Sequence, residues 1–355
     1  MSSRDSIGSC SAAGGTVKVT SPIQEWIHKP IPQTLWHYTS INGLQGILEN
    51  GNIRATDIRF MNDREEVVHA RKIAQKLIDE YPDKDADGFD ARKAFGLIVD
   101  DIFNPTAGLF SPEFLSCHVA SFSNKKDNLS QWRGYSYETV GASLGFNITR
   151  IQKPTLEFDF DWFKQKTESG FPVIFAPCVY IDAEKKKLLH QALNSILDVL
   201  KKVYIDHPET REMMANPPKN KGIVDAIWEL LKKLHSTNKN QFTNAMCQAI
   251  GYLLLIVALL KNVAFEEEDE WRLVIWFNAV TKAIQYPRRF RAEKTALIPY
   301  LEFPLGKGTE IRIDLNDLVL GPGSDRHTIS AAKSFLKSIG VELSPSPSGV
   351  PYRPK

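Results

Sequence analysis

Two-residue alternation marks both ends of this 355-residue chain, and a long helical block separates them. That order constrains the fold more than any single motif. Residues 34–39 (TLWHYT) are β-branched and aromatic and predict a strand, as do 115–122, 142–148 and 173–181. Residues 268–277 alternate strongly, with Trp271, Leu273, Ile275 and Phe277 on one face. Residues 296–303 and 310–320 predict further strands, and 341–343 a last short one. Between the two β regions, 183–204, 223–235 and 241–261 read as helices. The loop around Asn216-Pro217-Pro218-Lys219 separates two of them. The apolar run 249–260 is shorter than the about 20 residues a membrane span needs, so it predicts a core helix.

Strands that enclose a helical block, rather than alternating with helices, imply the α+β class. The expectation is a tail over 1–20, then one domain over 21–355 with a helical insertion at about 180–262. No solenoid-length repeat is present. The first β region carries its own helices. Ser40 caps one, with Ile41, Leu44, Ile47 and Leu48 on one face and Gly51 as the stop. A second starts at Asn62-Asp63, where Asp63 and Glu66 form a capping-box-like pair. Others are expected over 89–103 and 127–135.

Composition narrows the function classes. Lys plus Arg number 44 and Asp plus Glu 42, a net charge of +2. That argues against a binder held on nucleic acid by counterion release alone. Cys10, Cys117, Cys178 and Cys247 lie far apart, which fits neither a disulfide framework nor a cysteine zinc site. His37, His69 and His118 have no zinc-site spacing, and no Gly-rich phosphate loop or nucleophile elbow is present. The first 20 residues lack the apolar core of a signal peptide. A cytoplasmic protein with no membrane segment and no metal is expected.

Three short motifs carry chemistry. In the first, His37-Tyr38-Thr39-Ser40, alternation sets His37 and Thr39 on one strand face and Tyr38 on the other. Histidine and hydroxyl side chains can hold a ribose. The second is the acidic run 266–272 (EEEDEWR). On a strand, Glu268, Glu270 and Arg272 would project from one face. Paired carboxylates stabilise positive charge at a sugar carbon, although a solvated acidic edge has the same pattern. In the third, Ser121-Phe122-Ser123 leads to Asp127, Trp132 and Tyr135, which offer hydroxyls and flat rings. A basic cluster, Arg288, Arg289, Arg291 and Lys294, is interleaved with Tyr286 and Phe290. It reads as a charged loop that could touch a nucleic-acid backbone.

These motifs, with GLQGI at 43–47, Asn62-Asp63, Gly145-Phe146, Ile298-Pro299-Tyr300, Gly321-Pro322 and Pro351-Tyr352-Arg353, resemble a bacterial family of poorly characterised domains marked by HYTS and ExEWR motifs. The resemblance spans about residues 33–353. Arg64 stands where that family commonly has proline. The family in turn is similar to ADP-ribosyltransferases, including toxins that modify DNA. This implies a split antiparallel β-sandwich with flanking helices and NAD+ as substrate. Glu270 would be the catalytic carboxylate and Glu268 its partner. His37, Tyr38, Thr39, Asn62, Ser121, Ser123, Trp132, Tyr135 and Arg272 would bind the dinucleotide. Trp132 or Tyr135 would stack on nicotinamide, and Tyr38 and Tyr135 compete for the catalytic tyrosine. The resemblance further implies a macromolecular acceptor (DNA, RNA or protein), a toxin or antiphage role, and an antitoxin or regulator as partner. An NAD+ glycohydrolase and a non-catalytic nucleotide-binding module are the alternatives.

Overall fold

A computed structural model describes residues 21–61, 64–102, 115–135, 140–151, 173–208, 211–212, 240–278, 288–293, 296–307 and 311–351. The chain is α+β, with a ten-stranded, mostly antiparallel sheet. A short helix α1 (Pro22–Ile27) precedes β1 (Leu35–Ser40). Ser40 ends β1 and caps α2 (Ile41–Asn50), its hydroxyl accepting from the Gly43 amide at 3.1 Å. Gly51 stops that helix at φ 64, a left-handed conformation that glycine adopts without strain. Then follow β2 (Asn52–Asp57), α3 (Arg64–Ile78), α4 (Ala91–Ile102), β3 (Leu115–Ser123), α5 (Leu129–Tyr135), β4 (Gly141–Arg150) and β5 (Val173–Pro177). The helical block supplies α6 (Asp182–Asp206) and α7 (Asn240–Leu259). The chain returns to strands β6 (Glu270–Asn278), β7 (Arg288–Ala292), β8 (Leu297–Pro304) and β9 (Ile311–Leu320). Helix α8 (Arg326–Ser338) and β10 (Ser346–Pro347) end the described chain.

Strand order runs β10-β9-β4-β1-β3-β2-β8-β7, with β6 on the other edge of β3 and β5 beyond it. β1 follows β4 along its length, from Leu35↔Phe146 to Ser40↔Gly141. Its register with β3 is one pair, Trp36↔Ser123. Past that pair the two strands part, and the edge of β3 next meets β2 at Val119 and His118. His37 reaches across the parting: its Nδ1–H donates to the Ser121 carbonyl at 2.8 Å. A backbone acceptor left by the missing ladder is thereby satisfied.

Two apolar cores account for the layering. One packs α1, α3, α4, α6 and α7 on the Cys117/Val119 face of β3 and the Val274/Trp276 face of β6. The other collects Leu35, Leu144, Phe146, Ile313 and Leu318 from one part of the sheet with Ala120, Phe122, Phe175, Leu273 and Leu301 from the other. β6 is therefore buried on both faces. The run 249–260 is a core helix, with Leu253 and Leu255–Leu260 at 3% exposure or less. No described helix is long and apolar enough to cross a membrane.

The strand expected at 341–343 does not form. Val341 and Leu343 instead cover the second core, and the parallel pairing with β9 falls to Ser346 and Pro347. Helix α1 and strands β2 and β7 were not expected. The basic cluster is the strand β7, not a loop. Residues 1–20, the loop at 216–219, the helix at 223–235 and Lys294 lie outside the described residues.

Candidate functional site

Charge meets the parting of the sheet at the first residue of β6. Val263–Glu268 form a short 3-10 helix, capped by Asn262 Oδ1, which accepts from the Ala264 amide at 3.0 Å. Asp269 links it to the strand in the left-handed region, at φ 44. Glu268 therefore precedes the strand instead of lying on it, which corrects the expected strand pairing of Glu268 with Glu270. The carboxylates still converge, through a cation absent from the motif. Lys261 Nζ lies 2.9 Å from Glu268 Oε2 and 2.5 Å from Glu270 Oε2.

Arg272 completes the cluster. Its Nε donates to Glu270 Oε1 at 2.7 Å, and its Nη1 to the Ala258 carbonyl at 2.7 Å. Ala258 lies in the last turn of α7, where carbonyls lack helical partners and a cation is favoured. Arg272 is fully buried and Glu270 is 4% exposed. The acidic run is thus no solvated edge at this point, and its charge is balanced by two cations. Burial pushes the Glu270 carboxyl up, but Arg272 and Lys261 overcome that and hold it at about 2. It is a carboxylate at neutral pH. Burial pulls the Lys261 ammonium down, and Glu270 and Glu268 more than reverse the effect.

Above this cluster opens a small, shallow cleft lined by Trp36, Tyr38, Ser121, Phe122, Gln131, Tyr135, Glu268 and Glu270. Tyr38 is fixed at both ends of its hydroxyl, which donates to the Lys125 carbonyl at 2.7 Å and accepts from the Asn128 amide at 3.0 Å. Burial raises it to about 12. Tyr135, which is 45% exposed, faces the same carboxylates and keeps its proton as well. Both phenols are neutral donors at pH 7.

The wall of the cleft is tied down locally. Lys125 Nζ and Asn128 Nδ2 both donate to the Glu267 carbonyl at 2.8 Å. Asp127 receives Trp132 Nε1 at 2.5 Å, Ser348 Oγ at 2.6 Å and the Gly349 amide at 2.7 Å, which binds the C-terminal segment to the same loop. Gly145 allows Trp36 to lie flat against the sheet, since a Cβ there would fall 2.8 Å from the indole.

Of the residues expected at the site, the cleft brings together Tyr38, Ser121, Tyr135, Glu268 and Glu270. The others have different partners. Ser123 is buried and braces the turn, its Oγ donating to the Glu268 carbonyl at 2.5 Å. His37 sits beside the Phe122 ring, 5.5 Å between centroids, and burial lowers its pKa, so it is neutral. Thr39 packs on Gly43. Trp132 is fully buried against Tyr38, so the exposed ring beside the carboxylates is that of Tyr135. Arg272 is engaged inside the ion cluster. Asn62 lies outside the described residues.

Trp36, Gln131 and Lys261 were missed. Trp36 shares the strand face of Tyr38, so alternation contained its signal. Gln131 and Lys261 left none, because their placement depends on where α5 and α7 end. Among the described residues no group of His, Cys, Asp and Glu is placed to hold a metal ion. A family model described as a protein of unknown function, DUF2971, matches residues 131–273, from Gln131 through the ion cluster to Leu273. No curated protein and no solved structure matches the chain.

Proposed function

We propose that this chain is an NAD+-dependent ADP-ribosyltransferase that moves ADP-ribose onto a macromolecular acceptor, DNA, RNA or protein. One observation carries the reading. An ionised, buried carboxylate, Glu270, faces a small cleft walled by Trp36, Tyr38 and Tyr135 at the point where the sheet parts. The parting of β1 from β3 over a shared core supports the split antiparallel sandwich of that enzyme class.

The chemistry follows from the residues. The nicotinamide ring would lie against the aromatic walls, its ribose beside Glu270. The bond between ribose C1′ and the ring nitrogen breaks, and its electron pair returns to the ring, which leaves neutral. Positive charge then develops at C1′ and the ribose ring oxygen. Glu270 stabilises that charge from a low-dielectric site, where an oriented carboxylate acts more strongly than in water. An acceptor oxygen or nitrogen attacks C1′ and its proton passes to solvent or to a carboxylate. Lys261 and Arg272 keep Glu270 ionised and aimed. A toxin or antiphage effector with a cognate antitoxin is the biological setting this activity suits.

The test is incubation of the protein with NAD+ labelled in the adenylate, with separate pools of DNA, RNA and protein. Label in one pool is the expected result. Free ADP-ribose alone would make the chain an NAD+ glycohydrolase. No consumption of NAD+ in any pool would remove the enzyme reading and leave a nucleotide-binding module. Glu270→Gln, shown to be folded by near-UV circular dichroism, should lose at least about a hundredfold in rate.

A further inference from the structure

Gln131 lines the cleft, and the reaction above does not use it. It lies on α5 beside Trp132 and is 7% exposed. Its amide makes no hydrogen bond with any described residue, although it opens on the cleft. Asn128, three residues earlier, is by contrast engaged: its Nδ2 donates to the Glu267 carbonyl and its Oδ1 accepts from the Ser130 amide.

We infer that Gln131 is a specificity-determining residue that reads the carboxamide of the ring bound in the cleft. A side-chain amide offers one acceptor and two donors on a planar group. Its best complement is a second planar group bearing both a donor and an acceptor. The other polar groups facing the cleft are the Glu268 and Glu270 carboxylates, the Ser121 hydroxyl and the Tyr38 and Tyr135 phenols. At neutral pH the carboxylates can only accept, and the Tyr38 hydroxyl is already committed to Lys125 and Asn128. Among the lining residues Gln131 alone carries a side-chain amide, with a donor and an acceptor on one planar edge. The inference deepens the NAD+ reading and rests on it for the identity of the ring.

The experiment measures binding of free rings, so it requires no bond cleavage. Nicotinamide, 3-acetylpyridine and adenine are titrated calorimetrically into wild-type protein and into Gln131→Met, which keeps the chain length and removes the amide. 3-Acetylpyridine keeps the ring and the carbonyl acceptor of nicotinamide but has a methyl group in place of its amide donors. Wild type should bind nicotinamide about tenfold tighter than 3-acetylpyridine, the order of one net hydrogen bond, and Gln131→Met should bind the two alike. Equal binding of the two rings to wild type overturns the inference without any variant. A preference that survives in Gln131→Met overturns it too, as does Gln131-dependent binding of adenine in place of nicotinamide. NAD+ consumption is followed in parallel. Consumption with no ring preference leaves the transferase and removes the role of Gln131. Gln131-dependent nicotinamide binding without consumption keeps the recognition and removes the transfer.

Discussion

Two charged runs stand close together in this chain, the acidic 266–272 and the basic 288–294, and they end in opposite surroundings. The first leads into β6, which has β3 on one edge and β5 on the other and a core on each face. Its Glu270 and Arg272 are inside the protein, bonded to each other and to Lys261 and α7. The second forms β7, which pairs with β8 at the rim of the sheet. Its Arg289 is 58% exposed and pairs with Glu302 across the ladder, and Phe290 is exposed. A charged edge strand discourages pairing with other chains. The difference lies in position, not composition: a central strand desolvates its charges and forces them into partnership, and an edge strand leaves them in water.

The comparison breaks first if Glu270 is neutralised. Glu270→Gln should lose about 3–5 kcal/mol of unfolding free energy at neutral pH in urea titrations, because Lys261 and Arg272 keep their burial and lose their counter-charge. The same group sets an acid limit. Its carboxyl falls from an ordinary 4.5 to about 2 on folding. The stability it contributes is therefore complete above about pH 4.5 and disappears as pH drops toward 2, by about 3 kcal/mol. The variant should be flat across that window; an equal slope in both proteins would show that Glu270 is not held by the cluster.

A smaller effect is expected where the cleft wall meets the sheet. Gly145→Ala puts a methyl group 2.8 Å from the Trp36 indole. It should cost about 1–3 kcal/mol and weaken ring binding, since Trp36 must shift. Unchanged melting and unchanged binding would mean that Trp36 yields freely. The smallest change belongs to the rim. Arg289→Ala removes an exposed ion pair and should alter stability by less than about 1 kcal/mol, within the scatter of denaturant titrations. A larger loss would erase the contrast between the two runs.

Much of the fold was legible because its signals are local. The Ser40 cap, the Gly51 stop, the alternation of Trp271, Leu273 and Ile275 and the apolar run of α7 all follow from neighbouring residues and fixed periods. β2 and β7 escaped because polar and charged residues interrupt them. Val341 and Leu343 looked like a strand because core-covering residues and short strands share the same apolar spacing. At the site, Tyr38, Ser121, Tyr135, Glu268 and Glu270 were named from motif order and meet in one cleft. Trp132 and Tyr135 looked interchangeable, since helical spacing does not say which ring the sheet covers.

The sequence by itself determined where most strands and helices lie, and that Glu270 and Arg272 would share one face of β6. These depend on periodicity and caps, which act over a few residues. Only the tertiary structure decided that Glu270 is paired with Lys261, that Arg272 closes the end of α7, that Ser123 is a brace, and that Gln131 reaches the cleft. Each of those depends on segments distant in the chain sharing a dry space. There an unpaired charge is too costly to persist, and its partners are chosen by proximity in the fold.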